Sequence, residues 1–339
     1  MLRLRSLVSI PAWLGLLSFL STSVPALAQT SALVSQPSQI WFGMGRTDTP
    51  KGRADWNRIF FEPDATWPEM LRHVQVITAT ADALTRLTDD ELAKFVQRLD
   101  EHHIALSVAA LAQNWEIQPK CGNGVEGYSN PGTNRPIIAR LKRVGGRISY
   151  IGMDEPLYFG HYYAGKNACQ SSIDNVAERV ATILREYTAA FPDLTVLDTE
   201  PFPGISDQHS WQEDYGRWMA AFRAHVSRPL GGLNIDVNWP QPWSEGLRAA
   251  FTFARSQRLT VGIVYWASPK PPVGGHVTND MWLDSAADNF YMIEKREKLI
   301  PDRAMFASWS QFPERAIGDA SGLGEDDLIR RYLKMKGQH

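Results

Sequence analysis

Three short stretches set acids beside proline or tryptophan: Asp154-Glu155-Pro156, Asp198-Thr199-Glu200-Pro201 and Asp236-Val237-Asn238-Trp239. Each follows directly on an apolar run. Carboxylates gathered in one concave site repel one another, which raises at least one pKa and leaves a proton-holding acid beside an ionised base or nucleophile. Cleavage of a glycosidic bond needs such a pair. Glu155, Glu200 and Asp236 are therefore the candidate catalytic carboxyls. Side chains alternate along a strand, so Asp198 shares one side with Glu200, and Asp236 shares one with Asn238. Plainer roles exist for the same residues. An aspartate at a strand end caps the following helix, and a proline ends a strand.

Such residues need a frame to bring them together. Eight apolar segments have the β-branched content of strands buried on both faces: Ile40–Met44, Val74–Ala79, Ile104–Ala110, Ile148–Met153, Thr195–Asp198, Leu233–Val237, Thr260–Trp266 and Ala304–Ser308. Helical patterns lie between them. Thr88-Asp89-Asp90-Glu91 is a capping box that opens a helix with the stripe Leu92, Phe95, Val96 and Leu99. Further helices are predicted over 174–187, 214–226, 285–299 and 325–335. Eight strands alternating with helices predict a single-domain (β/α)8 TIM barrel over residues 39–339. An open doubly wound sheet is the alternative, weakened by the lack of a Gly-rich first turn.

In such barrels chemistry resides at the C-terminal strand ends. The acids then fall on neighbouring strands 4, 5 and 6. Asp154, Asn114, Asp198, Asn238, Trp239, Tyr265, Trp266 and Trp309 are the expected substrate contacts, the tryptophans offering flat faces to sugar rings. The chain is rich in such rings, with 12 Trp, 10 Tyr and 14 Phe. Most of these must be core.

Residues 1–28 read as a cleaved signal peptide: Arg3 and Arg5, an apolar run over 13–20, and Ala26-Leu27-Ala28 as the cleavage site. Residues 29–38 form a lead-in segment. The expected mature protein is periplasmic or secreted, monomeric, and without a membrane span. Its 33 basic and 37 acidic residues give no basic surface for nucleic acid. In an oxidising compartment the two cysteines, Cys121 and Cys169, are expected to pair, bracing the loops after strands 3 and 4.

At Asp154-Glu155-Pro156 the chain resembles the large clan of (β/α)8 glycoside hydrolases, in which the acid/base glutamate follows a polar residue at the end of strand 4, typically as Asn-Glu-Pro. The resemblance implies Glu155 as proton donor and Asp154 as a contact to the sugar next to the cleaved bond. It also implies Trp309 as an aromatic floor at the end of strand 8. One feature departs from the clan, whose nucleophile glutamate ends strand 7. Here that segment reads Val264-Tyr265-Trp266-Ala267-Ser268 and holds no acid. Glu200 or Asp236 then supplies the second carboxylate, with a Tyr265 nucleophile or a substrate-assisted reaction as further options. The expected function is hydrolysis of O-glycosidic bonds in a poly- or oligosaccharide, without cofactor or metal. Two alternatives are a barrel that binds polysaccharide without cleaving it, and a metal-dependent sugar isomerase or lyase using Glu155, Glu200 and Asp236 as oxygen ligands. His161, His209 and His276 lack the close spacing of a zinc motif.

Overall fold

All eight apolar segments become strands of one closed parallel barrel in the computed structural model, which describes residues 38–45, 47, 49–62, 68–117, 120–318 and 323–338. The strands are β1 (Gln39–Gly43), β2 (Val76–Thr80), β3 (Ala105–Ala110), β4 (Tyr150–Asp154), β5 (Thr195–Phe202), β6 (Gly232–Val237), β7 (Thr260–Tyr265) and β8 (Arg303–Phe306). Each pairs with the next, and β8 closes on β1. Around them run α1 (Pro50–Phe61), α2 (Ala81–Arg86), α3 (Asp89–Glu101), α4 (Asn134–Arg143), α5 (Ile173–Ala190), α6 (Trp211–Val226), α7 (Ser244–Ser256), α8 (Asn279–Tyr291) and α9 (Asp327–Lys336). The signal peptide and residues 29–37 of the lead-in lie outside the described residues. Ser38 is buried and donates to the Pro301 carbonyl at 2.6 Å.

The capping box forms as its residues require: Thr88 accepts from the Glu91 amide, and Glu91 accepts from the Thr88 amide. Leu92, Phe95, Val96 and Leu99 are buried. Among the boundaries that differ from the sequence expectation, three have a clear local cause. β5 does not stop at Asp198 but continues through Phe202, because Asp236 and Val237 pair with Pro201 and Phe202. Helix α6 starts at Trp211, so Asp214 lies in its first turn, where negative charge suits the helix dipole. Helix α8 starts well before Ser285, since the Thr278 hydroxyl caps it by accepting from the Met281 amide.

Two faces of each strand do different work. Ile40, Phe42, Ile77, Val108, Ile151, Met153, Val196, Ile235, Ile263 and Phe306 point outward into the layer shared with the helices. Trp41, Val76 and Leu197 point inward and pack with Ala105, Tyr150 and Met305 to fill the lower barrel. Arg303 completes this floor: it donates to the Asn234 side chain (3.1 Å) and the Thr260 hydroxyl (2.6 Å), with Trp41 5.9 Å away. Gly232 and Gly262 leave the space it needs. A Cβ at Gly232 would lie 2.7 Å from an Arg303 nitrogen, and one at Gly262 would lie 2.4 Å from the Asn234 oxygen. In barrels of this kind the site lies at the opposite, C-terminal ends of the strands.

The loop between β3 and α4 makes two small pairings: Gln113–Asn114 with Tyr128–Ser129, and Glu116–Ile117 with Lys120–Cys121. Cys121 is bonded to Cys169, beyond β4, with Cα atoms 5.0 Å apart. The bridge spans 48 positions of sequence. Its removal in a Cys121→Ser, Cys169→Ser double variant should cost about 3–4 kcal/mol through unfolded-chain entropy. Chemical denaturation measures this, and an unchanged midpoint would show that the bridge closes no loop that matters to stability.

Candidate active site

Strand parity decides which acids meet. On β4, Tyr150, Gly152 and Asp154 share the inward side, and on β6, Gly232, Asn234 and Asp236 do. Asn234 confirms the direction by donating to Thr199 and accepting from Arg303 inside the barrel. Pairing sets Asp154 beside Thr199, and Asp236 beside Pro201 and Val264, so both aspartates stand at the upper rim. Both are half-buried. Burial pushes Asp154 up to about 7, with Glu126 adding to it. Burial likewise pushes Asp236 to about 7, opposed by a bond from Trp266 and aided by the charges of Asp154 and Glu126.

Glu155 follows β4 in the left-handed region, at φ 49°. A non-glycine residue held there costs on the order of 1–2 kcal/mol, and such strain gathers at functional positions. Its amide donates to the Thr199 carbonyl at 2.9 Å and its carbonyl accepts from the Phe159 amide at 3.1 Å, which hold the turn. The side chain is buried, and its carboxyl has no hydrogen-bond partner among the described residues. Burial first, then Asp236, Asp154, Glu126 and Glu200, push it up to about 11. It holds its proton at neutral pH.

Glu200 and Asp198 do share one side, but it is the outward one. Glu200 is fully buried and accepts from the amides of Leu157 (2.7 Å) and Tyr158 (3.0 Å). It fixes the helical turn behind Glu155 and stays away from the mouth. Alternation explains the difference from expectation, since Thr199 faces the barrel interior and its neighbours on either side face outward. Asp198 accepts from Tyr215 (2.6 Å) and Trp218 (2.8 Å), anchoring α6 to the barrel. Tyr265 is also outward and fully buried, donating to Glu294 at 2.8 Å. These three are not brought into contact with the open end.

Other expected contacts do gather there. Trp266 donates to Asp236 at 2.8 Å and lies 4.8 Å from Trp309, which is 56% exposed. Asn289 holds the Trp266 carbonyl at 2.9 Å. Asn238 is exposed just past β6, and Trp239 is half-buried against Trp243. Asn114 is half-buried in the loop after β3, accepting from Ser129 at 3.4 Å. Two residues escaped the sequence reading. Tyr158 is half-buried and its hydroxyl is raised by burial and by Glu155. Glu126 bears on three site acids from a loop, and its only local signal is the following Gly127. Among the described residues, no three acidic, histidine or cysteine side chains form a metal-holding group.

Structural comparison shows what this framework is similar to. A GH10 endoxylanase retrieved from a sugarcane soil metagenome matches with a TM-score of 0.51 at 10% identity, over 88% of this chain and 97% of that one. Xylanase 10B from Thermotoga maritima matches at 0.50 and 13% identity, over 88% and 95%. Xylanase 10B from Thermotoga petrophila RKU-1, in complex with xylobiose, matches at 0.50 and 14% identity, over 88% and 94%. At these identities the likeness establishes the fold: a single-domain (β/α)8 barrel. No family model matches the chain, and no curated protein matches it by sequence.

The raised aspartates carry a stability consequence. Asp154 and Asp236 have folded pKa values near 7 against 3.8 ordinarily, so between these limits the folded chain binds more protons than the unfolded one. The contribution of these two groups to stability is therefore full below about pH 4 and is lost as pH rises through 7. Asp236→Asn should raise stability at pH 8 by on the order of 1–3 kcal/mol, with the gain vanishing near pH 4. Melting temperatures across that range test this. A gain independent of pH would contradict the raised pKa.

Proposed function

We propose that this chain is an exported, monomeric glycoside hydrolase that cleaves O-glycosidic bonds of a poly- or oligosaccharide. The observation that carries the reading is Glu155. It is a buried, unpartnered carboxyl that holds its proton, at the end of a barrel where substrates bind, beside half-buried acids. Glycoside cleavage requires an acid to protonate the leaving oxygen and a second carboxylate to support attack at the sugar carbon. Asp236 fits the second role better than Glu200. It faces inward, keeps one oxygen free of the Trp266 bond, and reaches its midpoint near neutrality. Trp309 and Trp266 offer the flat surface on which a sugar ring stacks, and Asp154 lies where a hydroxyl next to the cleaved bond would be held.

The described xylanases suggest β-linked xylan as the first substrate to try. The disulfide supports export. No helix among the described residues is long and apolar enough to cross a membrane. One observation favours a second reading. The inward residue at the end of β7 is Val264 and the next is Trp266, so a carboxylate expected of the resembling clan is absent there. A barrel that binds polysaccharide without cleaving it would show this.

Incubating the protein with xylan, mannan, cellulose and chitosan and separating products by thin-layer chromatography distinguishes the two. Shorter oligosaccharides are expected from one of them, whereas binding without products would favour the second reading. Trp309→Ala should weaken substrate binding about tenfold or more while leaving the melting temperature nearly unchanged, because the ring is mostly in solvent. Unfolding without selective loss of affinity would make Trp309 a packing residue.

A further inference from the structure

We propose that Gln113, in the loop after β3, is a positioning residue for Glu155. Its side chain grips the backbone just past that glutamate and so fixes where the carboxyl points. The proposal rests on Glu155 as proton donor. The contact is a bond from Gln113 Nε2 to the Pro156 carbonyl, at 3.0 Å and buried. That carbonyl belongs to the peptide unit joining Pro156 to Leu157, and the amide of the same unit donates to Glu200 at 2.7 Å. One peptide plane is thus held at both ends, by Gln113 from the side of β3 and by Glu200 from β5. Such a plane does not turn without breaking a buried bond. The ring of Pro156 fixes its own φ and restricts the residue before it, so the grip is passed back to Glu155.

Gln113 is itself firmly held. It is fully buried, its amide donates to the Gly127 carbonyl at 3.1 Å, and its carbonyl accepts from the Ser129 hydroxyl at 3.4 Å. Gly160, in the helical turn after Glu155, packs directly on the carboxamide. A Cβ at Gly160 would lie 2.9 Å from Gln113 Nε2 and 3.0 Å from its Oε1. The same loop meets the other side of Glu155, where a Cβ at Gly127 would lie 2.6 Å from the Asp154 carbonyl oxygen. The Oε1 of Gln113 is buried and has no hydrogen-bond partner among the described residues. An acceptor left in that state costs free energy that an apolar side chain of the same shape would not. The carboxamide therefore adds little to stability, and the bond to Pro156 is what it supplies.

Glu155 stands at φ 49°, a setting that a glutamate keeps only when its surroundings impose it. A general acid works within hydrogen-bonding reach of the leaving oxygen, and a misplacement of about 1 Å costs on the order of a hundredfold. Gln113 acts on the reaction only through the direction it gives to Glu155.

Gln113→Leu keeps the shape of the side chain and removes the donor. On a sugar leaving group kcat should fall about tenfold or more with KM nearly unchanged, and on an activated aryl leaving group the loss should be much smaller. Gln113→Glu tests the bond itself, because a protonated carboxyl donates as the carboxamide does and an ionised one does not. Relative to the unaltered protein, its activity should be retained at low pH and fall toward that of the leucine variant as the introduced carboxyl ionises. Equal losses on both leaving groups in Gln113→Leu, or a glutamate variant as impaired as the leucine one at every pH, would overturn the proposal. A second readout needs no substrate: the infrared band of the protonated Glu155 carboxyl, identified by its absence in Glu155→Gln. It should shift in Gln113→Leu and return in Gln113→Glu at low pH. An unmoved band overturns the positioning role whatever the activity. A band that shifts and returns in a protein that cleaves no polysaccharide supports that role and removes the hydrolase reading instead.

Discussion

The desolvated carboxyl of Glu155 is the constraint on which the upper half of the molecule depends. Removing a carboxyl from water without giving it a hydrogen bond disfavours its charged form strongly. The chain tolerates this because the surrounding backbone is over-determined. Thr199 receives the Glu155 amide, the Glu155 carbonyl receives Phe159, and the fully buried Glu200 receives the two amides that follow Pro156. Those contacts hold a left-handed glutamate that a free chain would rarely adopt. Glu200 thus acts on the site through the backbone it fixes.

The lower half is stable for different reasons. Arg303, Asn234 and Thr260 form a hydrogen-bonded floor under Trp41, and the glycines of β6 and β7 leave room for it. Burial lowers the Arg303 pKa only to about 10, so its charge persists at neutral pH. Above this filled floor the rim carries Asp154 and Asp236, both driven toward neutrality by burial. Stability is concentrated at one end of the strands and strained, proton-holding chemistry at the other.

The barrel was legible in the sequence because each strand is an apolar run and several of the helices between them carry a clear apolar period, as from Thr88, a cap, to Leu99. The site was legible in part. Period-two alternation correctly joined Asp198 with Glu200, yet it carries no sign, so it does not say which side faces the barrel interior. That sign comes from the tertiary contacts: Thr199 meets Asn234 inside the barrel, so its neighbours Asp198 and Glu200 face the helices. Tyr265 was misjudged for the same reason, its neighbour Trp266 being the one that reaches Asp236. Glu126 lay beyond local reasoning altogether. Its place depends on a turn packed against the end of β4, which leaves no period in the sequence.

The most direct test of the account is the dependence of Glu155→Gln on the leaving group. Two substrates with the same sugar are compared, one with an activated aryl leaving group and one with an ordinary sugar alcohol. A general acid supplies about 10²–10⁴-fold where the leaving oxygen needs a proton, and little where it does not. The account predicts a loss of that order on the sugar leaving group and a much smaller loss on the aryl one. Equal, small losses on both would place the acid elsewhere and contradict the role of Glu155.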